Sequence, residues 1–384
     1  MSDKSANLLK FLIDNYEKAS PEEQIAAAAF FQKAADLGNA AAQSELGRCY
    51  MKGKSVTQDV AMAFKYLKMG ADQSCAVGQC GLGWCYDLGK GVDRDPLMAV
   101  KYYQLAADQG NAMGQANLGV CYQYGQEVTQ DLTMAVKYYQ LAADQGLALA
   151  QNNLGMSYFN GQGVTEDPKM AVKYYQLAAD QGYAAGQANL GSCYLAGKGV
   201  TQDLKMALKY YQLAADQGNS NAQANMGYLY ENGLSIEKDM IQALKLYNLS
   251  ADQGDSYGQY KLGSCFEQGL GVTLDLEKAV DLYQKSALQD YAPSQVALAE
   301  LYLSGTGLTK DPIKAAEIYA KAVPVLAQNS DGGDADASWM LAKLYELGHG
   351  VAQDLAKASS LYKLAASYGC LAAKDALERL KKAA

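Results

Sequence analysis

The chain has 384 residues, of which 49% are hydrophobic, with only six prolines, a composition that excludes extensive disorder. Lys plus Arg number 33 against 41 Asp plus Glu, and a net charge of −8 excludes nucleic acid and anionic membrane as partners, since both need a basic surface. Every apolar run is broken by Lys, Asp, Gln or Gly well short of the ~20 residues that span a bilayer, so membrane insertion is not expected.

In chain order, Met1 to Glu17 has neither the apolar core nor the small-residue cleavage site of a signal peptide. The expected location is the cytoplasm, with export by a signal-independent route left open. Residues 1–38 read as an N-terminal cap: Leu8 to Tyr16 supplies a covering helix, and Glu22 to Asp36 is a helix burying Ala27, Phe31 and Ala34. Residues 39–370 are a repeat array. The stretch Val136 to Gly146 recurs almost unchanged as Val100 to Gly110, Val172 to Gly182 and Leu208 to Gly218, at a spacing of 36. A glycine marker keeps the same period from Gly47 through Gly83, Gly119, Gly155, Gly191 and Gly227 to Gly263, then becomes Ala299 and, after a seven-residue insertion, Ala342. Such a period marks units that bury their apolar faces only against their neighbours.

Within one unit, Asn111 to Tyr124 places Ala112, Ala116, Leu118, Gly119 and Tyr122 at helical spacings, giving a first helix, A, stopped by Gly125. The loop that follows reads Gly-x-Gly-Val-x-x-Asp, as in Gly161 to Asp167, and its regular valine (Val56, Val92, Val128, Val164, Val200, Val272) is expected to plug the core. A second helix, B, starts after an N-cap aspartate at Asp59, Asp95, Asp131, Asp167, Asp203, Asp239, Asp275, Asp311 and Asp354, with Pro96, Pro168 and Pro312 at the first helical position. Along B, Ala135, Tyr139 and Ala142 form the buried side. Lysines and aspartates recurring once per unit, from Lys65 to Lys245 and from Asp36 to Asp252, read as a solvated outer surface. Gln328 to Asp336 holds the insertion and reads as a mobile polar excursion rather than a calcium loop, because the EF-hand ligand order is missing. His349 reads as an exposed loop residue. Residues 371–384 form a C-terminal cap, amphipathic from Leu371 to Leu380 and ending in Arg379, Lys381 and Lys382.

The unit Ala-x-x-x-Tyr-x-x-Ala-Ala-x-x-Gly followed by Ala-x-x-x-Leu-Gly-x-x-Tyr-x-x-Gly-x-Gly-Val-x-x-Asp, clear in Ala171 to Gly182 and Ala188 to Asp203, resembles the Sel-1-like repeat family, relatives of the tetratricopeptide repeats. The resemblance implies an all-α fold, a right-handed α-α superhelix of about nine 36-residue helix-turn-helix repeats with capping helices, in a family whose members mostly act as adaptors or scaffolds. Some cysteine-rich bacterial members carry a disulfide in each repeat and are linked to β-lactam binding or hydrolysis. This chain departs from them: Cys49, Cys85, Cys121, Cys193 and Cys265 share one phase without an in-phase partner, and the eight cysteines are expected to be free thiols.

With one histidine, no phosphate-binding loop and no converging ligand set, neither an enzyme, nor a cofactor, nor a metal site is expected. If the stack resembles tetratricopeptide solenoids, helix A lines a concave groove, and phases that vary between units are free for recognition. Two such phases, three residues apart, supply Arg48, Trp84, Met156, Tyr228 and Glu300, and Asp87, Phe159, Glu231 and Glu267. Spacing alone does not separate groove from core for Trp84 and Trp339. The leading expectation is a monomeric, non-enzymatic adaptor holding a peptide or helix of another protein in that groove; the alternative is a weak β-lactam-associated hydrolase or small-molecule binder.

Overall fold

The structure, a computed structural model, describes residues 3–383. Residues 1, 2 and 384 of the expected caps, and the side chains of Lys381 and Lys382, lie outside what is described. The described residues form 21 α-helices and one 3-10 turn, with no strand. No helix among them is long and apolar enough to cross a membrane.

The chain divides into two compact units, Met1–Gln202 and Asp203–Ala384. Unit 1 contains α1 (Asp3–Asn15), α2 (Pro21–Asp36), α3 (Ala40–Lys52), α4 (Val60–Asp72), α5 (Ala76–Leu88), α6 (Pro96–Asp108), α7 (Ala112–Tyr124), α8 (Leu132–Asp144), α9 (Ala148–Asn160), α10 (Pro168–Asp180) and α11 (Ala184–Ala196). Unit 2 contains α12 (Leu204–Ala215), α13 (Ser220–Asn232), α14 (Met240–Asp252), α15 (Ser256–Gln268), α16 (Leu276–Ala287), α17 (Ala292–Ser304), α18 (Pro312–Asp331), α19 (Ala335–Leu347), α20 (Leu355–Ser367) and α21 (Leu371–Ala383). Odd-numbered helices from α3 to α19 are the A helices and even-numbered ones from α4 to α20 the B helices.

Local chemistry sets the boundaries. Each of the nine expected aspartates caps its B helix by accepting first-turn N–H groups, as Asp131 does from Met134 N–H. A helices end on left-handed residues such as Gly125, φ +67°. In the loop, Gly163 (φ +74°) runs so close over α8 that a Cβ there would fall 2.2 Å from the Leu132 carbonyl oxygen. The loop valines are half-buried and flank the core instead of plugging it.

In most repeats the A marker glycine meets the B tyrosine ring; Gly47 meets Leu67 instead, and Ala299 and Ala342 replace the glycine in the last two repeats. A Cβ on Gly119 would sit 2.7 Å from the Tyr139 ring and 3.2 Å from the Ala135 carbonyl oxygen; on Gly263 it would sit 2.9 Å from Tyr283. Tyr103, Tyr139, Tyr211, Tyr247, Tyr283, Tyr319 and Tyr362 are accordingly buried, and Phe31 and Leu67 occupy the same phase at the N-terminal end. Buried glutamines tie successive helices together. Gln115 Nε2 donates to the Ala107 carbonyl at 3.4 Å while its Oε1 accepts from Gln145 at 2.8 Å, and Gln43, Gln79, Gln151, Gln223 and Gln259 likewise accept from the glutamine thirty residues on.

Two expectations are corrected. The seven-residue insertion is not a polar excursion but additional helix: α18 runs 20 residues, through Pro324, because Ala322, Leu326 and Ser330 at four-residue spacing are buried and the Ser330 hydroxyl bonds Ser338 of α19 at 2.8 Å. His349 is not an exposed loop residue. It is half-buried, its ring stacked on Tyr319 with centroids 4.8 Å apart, and burial holds its pKa below the usual imidazole value.

The glycine contact gives a direct test. Gly119→Ala pushes one methyl against the Tyr139 ring and should cost about 1 kcal/mol, whereas Gly119→Leu should cost about 3 kcal/mol by overpacking. Urea unfolding midpoints measure both; equal midpoints would mean that α7 and α8 are not in tight contact.

Candidate interaction face

The two candidate phases lie on the A helices, and their side chains have different tasks. In the phase directly after the marker, Trp84 and Met156 in unit 1 are each 37% exposed. Arg48 is anchored at one end: its guanidinium pairs with Glu45 at 3.0 Å and Glu17 at 3.7 Å, and burial pushes the Glu45 carboxyl up from its ordinary value. In unit 2, Tyr228 is half-buried, with the Lys261 ammonium 5.8 Å from its ring centre, and Glu300 is exposed and ion-paired with Lys343 at 2.8 Å.

The phase three residues further on is committed to the repeat itself. Its side chains accept the hydroxyl of the B tyrosine sixteen residues later: Tyr103 donates to Asp87 at 3.4 Å, Tyr139 to Gln123 at 2.6 Å, Tyr247 to Glu231, Tyr283 to Glu267 at 2.6 Å and Tyr362 to Glu346 at 2.6 Å. Burial, and for most of them the facing carboxylate, holds these phenols far above their ordinary pKa, so they stay neutral donors. Phe159 takes this phase in α9, half-buried, with its ring 6.4 Å from Tyr175 and beneath the Lys198 ammonium at 4.2 Å. Where Leu303 takes it in α17, the buried Tyr319 hydroxyl has no partner. Asp87, Glu231 and Glu267 thus each have an internal hydrogen bond, while Trp84 and Met156 present apolar surface to solvent. Trp339 is half-buried against Ala342 and Tyr362, with Lys343 5.7 Å above its ring.

Residues outside both phases enlarge the face in unit 2. Tyr260 and Tyr257 of α15 flank Tyr291, the N-cap of α17, with ring centres 5.6 and 6.3 Å away. Sequence reasoning passed over them, although a signal existed: Tyr260 stands where other A helices carry Ala116, Ala188 and Ala224.

No group of three or more His, Cys, Asp or Glu able to hold a metal occurs among the described residues. The eight cysteines are free, six buried and two half-buried. Burial pushes the thiols of Cys80 and Cys85 up to about 12 and those of Cys121, Cys193 and Cys265 up to about 11, which removes the thiolate that nucleophilic chemistry needs.

Comparison with known proteins agrees with this architecture. The Sel1 repeat profile matches ten stretches: 16–39, seven consecutive blocks from 40–75 to 256–291, then 292–323 and 335–369. The profile counts α2 as a shortened repeat ahead of the nine helix pairs. A crystal structure of a protective antigen present in uropathogenic Escherichia coli strains, displaying an SLR fold, is 30% identical, covers 98% of this chain and 91% of its own, and superposes with a TM-score of 0.51. A Sel1 repeat protein from Oxalobacter formigenes is 29% identical over 64% of this chain and 96% of its own, with a TM-score of 0.55. No curated protein matches significantly.

Two measurements check the internal roles. Tyr283→Phe leaves the half-buried Glu267 contact without its donor and should cost about 1 kcal/mol, whereas Tyr319→Phe removes a hydroxyl that has no partner and should be neutral or stabilising; equal losses would show that the tyrosine–carboxylate pairing contributes nothing. Thiol labelling without reductant should count eight after denaturation but modify only Cys75 and Cys370 quickly in the native protein.

Proposed function

The chain belongs to the Sel1 repeat family, and we propose that it acts as a non-enzymatic adaptor, a cytoplasmic monomer whose A-helix face holds a peptide or helix of another protein. Repeat-pair folds of this kind are typical of protein-interaction scaffolds. The observation that carries the reading is the contrast between phases. Buried positions repeat with Ala, Gly, Tyr and Gln, and the phase four beyond the marker accepts a tyrosine hydroxyl in five of the nine repeats. The phase directly after the marker instead exposes Trp84 and Met156 where other repeats carry Val120 or Ser192, so no packing demand accounts for them. Large apolar side chains on a rigid helical scaffold are the usual anchors of an interface.

The hydrolase alternative takes its support from members with paired cysteines in each repeat, and here the cysteines occupy one phase singly. Nothing in the site geometry favours it.

The test is a binding measurement on a partner identified by crosslinking and mass spectrometry from the native cell. Trp84→Ala combined with Met156→Ala should weaken that complex by about 2 kcal/mol while circular dichroism stays unchanged, because both side chains are surface-exposed. Unchanged affinity in the double variant would remove these residues from the interface.

A further inference from the structure

The A helices of the two units differ sharply in charge. In unit 1, α7, α9 and α11 carry no charged residue at all. In unit 2, α13, α15, α17 and α19 carry Glu231, Glu267, Glu300, Asp336 and Glu346 against Lys261 and Lys343 only. Of these helices, α15 bears Tyr257 and Tyr260, and Tyr291 caps α17. Tyr257 and Tyr260 converge with Tyr291, all three half-buried, and no lysine or arginine lies over these rings among the described residues.

One repeat earlier, the fold shows what such a setting holds. The Lys261 side chain is only 15% exposed; its ammonium pairs with Glu231 at 2.7 Å and lies 5.8 and 5.6 Å from the ring centres of Tyr228 and Tyr247. A cation between tyrosine faces and a carboxylate is therefore stable on this face, attracted by the ring quadrupoles and by the negative charge. The neighbouring group has the same ingredients, with Asp336 as the carboxylate: after burial, its negative charge is the next cause that holds the Tyr228 and Tyr260 hydroxyls above their ordinary pKa, and at Tyr291 it adds to burial, Tyr260, Asp334 and Asp255. Burial, and then the Asp334 carboxylate, push the Asp336 carboxyl up against the opposing effect of the Lys261 ammonium, a shift that an incoming positive charge relieves.

We propose that the face of α13, α15, α17 and α19 is the docking site for a lysine- or arginine-bearing segment of a partner protein, whose cationic side chain seats on the Tyr257, Tyr260 and Tyr291 rings beside Asp336. The assignment rests on the adaptor reading and narrows it: unit 2 selects the partner by charge.

The experiment uses the full chain and two fluorescent peptides of about ten residues, one alternating Ala and Lys and the other alternating Ala and Glu, compared by fluorescence anisotropy at about 0.1 M salt. The lysine peptide is expected to bind at least about tenfold more tightly. Asp336→Asn and Tyr260→Leu should each weaken it several-fold and Tyr260→Phe should not. Tyr260→Leu retains every charge, so its effect separates the site from diffuse attraction to an acidic protein; if that variant unfolds, the exposed Asp336→Asn decides. Equal affinities for the two peptides, or wild-type binding by Asp336→Asn and Tyr260→Leu, overturns the assignment. In that event, a native partner that still loses affinity in the Trp84 and Met156 double variant leaves the adaptor reading standing, whereas a partner indifferent to both sets of substitutions removes it as well.

Discussion

The contact on which the rest depends is that between a glycine without a Cβ and the edge of a tyrosine ring one helix away. At Gly83, Gly119, Gly155, Gly227 and Gly263 the ring lies so close that any side chain would have to displace it. This fixes how near A and B approach, and therefore where the phenol oxygen emerges. The oxygen comes out one turn further along A, beneath the residue four beyond the glycine, and a buried hydroxyl there needs an acceptor. Asp87, Gln123, Glu231, Glu267 and Glu346 supply it.

That dependence explains why two phases that look alike in sequence behave differently. Variation after the glycine is less tied to the core, since Trp84, Met156 and Glu300 reach solvent while Val120 packs against the core of its repeat. Three residues later, five of the nine positions are acceptors, and Met51, Phe159, Leu195 and Leu303 depart from them. Phe159 is covered by Lys198, and Leu303 faces a tyrosine whose hydroxyl stays unsatisfied. A charged residue on a repeat face is thus weak evidence of recognition until the hydrogen bonds beneath it have been assigned.

Most of the fold was legible in the chain because its determinants are local. An aspartate reaches N–H groups two or three residues on, and Ala135, Tyr139 and Ala142 declare a buried stripe by spacing alone. What was not legible acts across helices: tyrosine to acceptor over sixteen residues, glutamine to glutamine over thirty, and the Tyr257, Tyr260 and Tyr291 group over more. The insertion misled for a different reason. Pro324 stands where other B helices end, at Asp108 or Asp144, and Asn, Ser, Asp and Gly follow it, yet Leu326 and Ser330 continue the buried four-residue stripe and burial outweighs the local preference for a turn.

The glutamine ladder has a bearing on heredity. Gln151 takes its carbonyl from Ala143, eight residues back, and Gln115 takes the equivalent one from Ala107. Excision of residues 112–147 as a block would present Ala107 to Gln151 in the place of Ala143, the same group in the same register. Recombination between near-identical stretches of the gene, such as those encoding Val100 to Gly110 and Val136 to Gly146, removes or adds whole units of this kind without leaving an orphaned amide, whereas a deletion of any other length breaks the rungs that span it. A lineage can therefore change the number of its repeats far more readily than the interior of one. Each such event discards a particular set of exposed side chains, as loss of 148–183 would discard Met156 and Phe159 together.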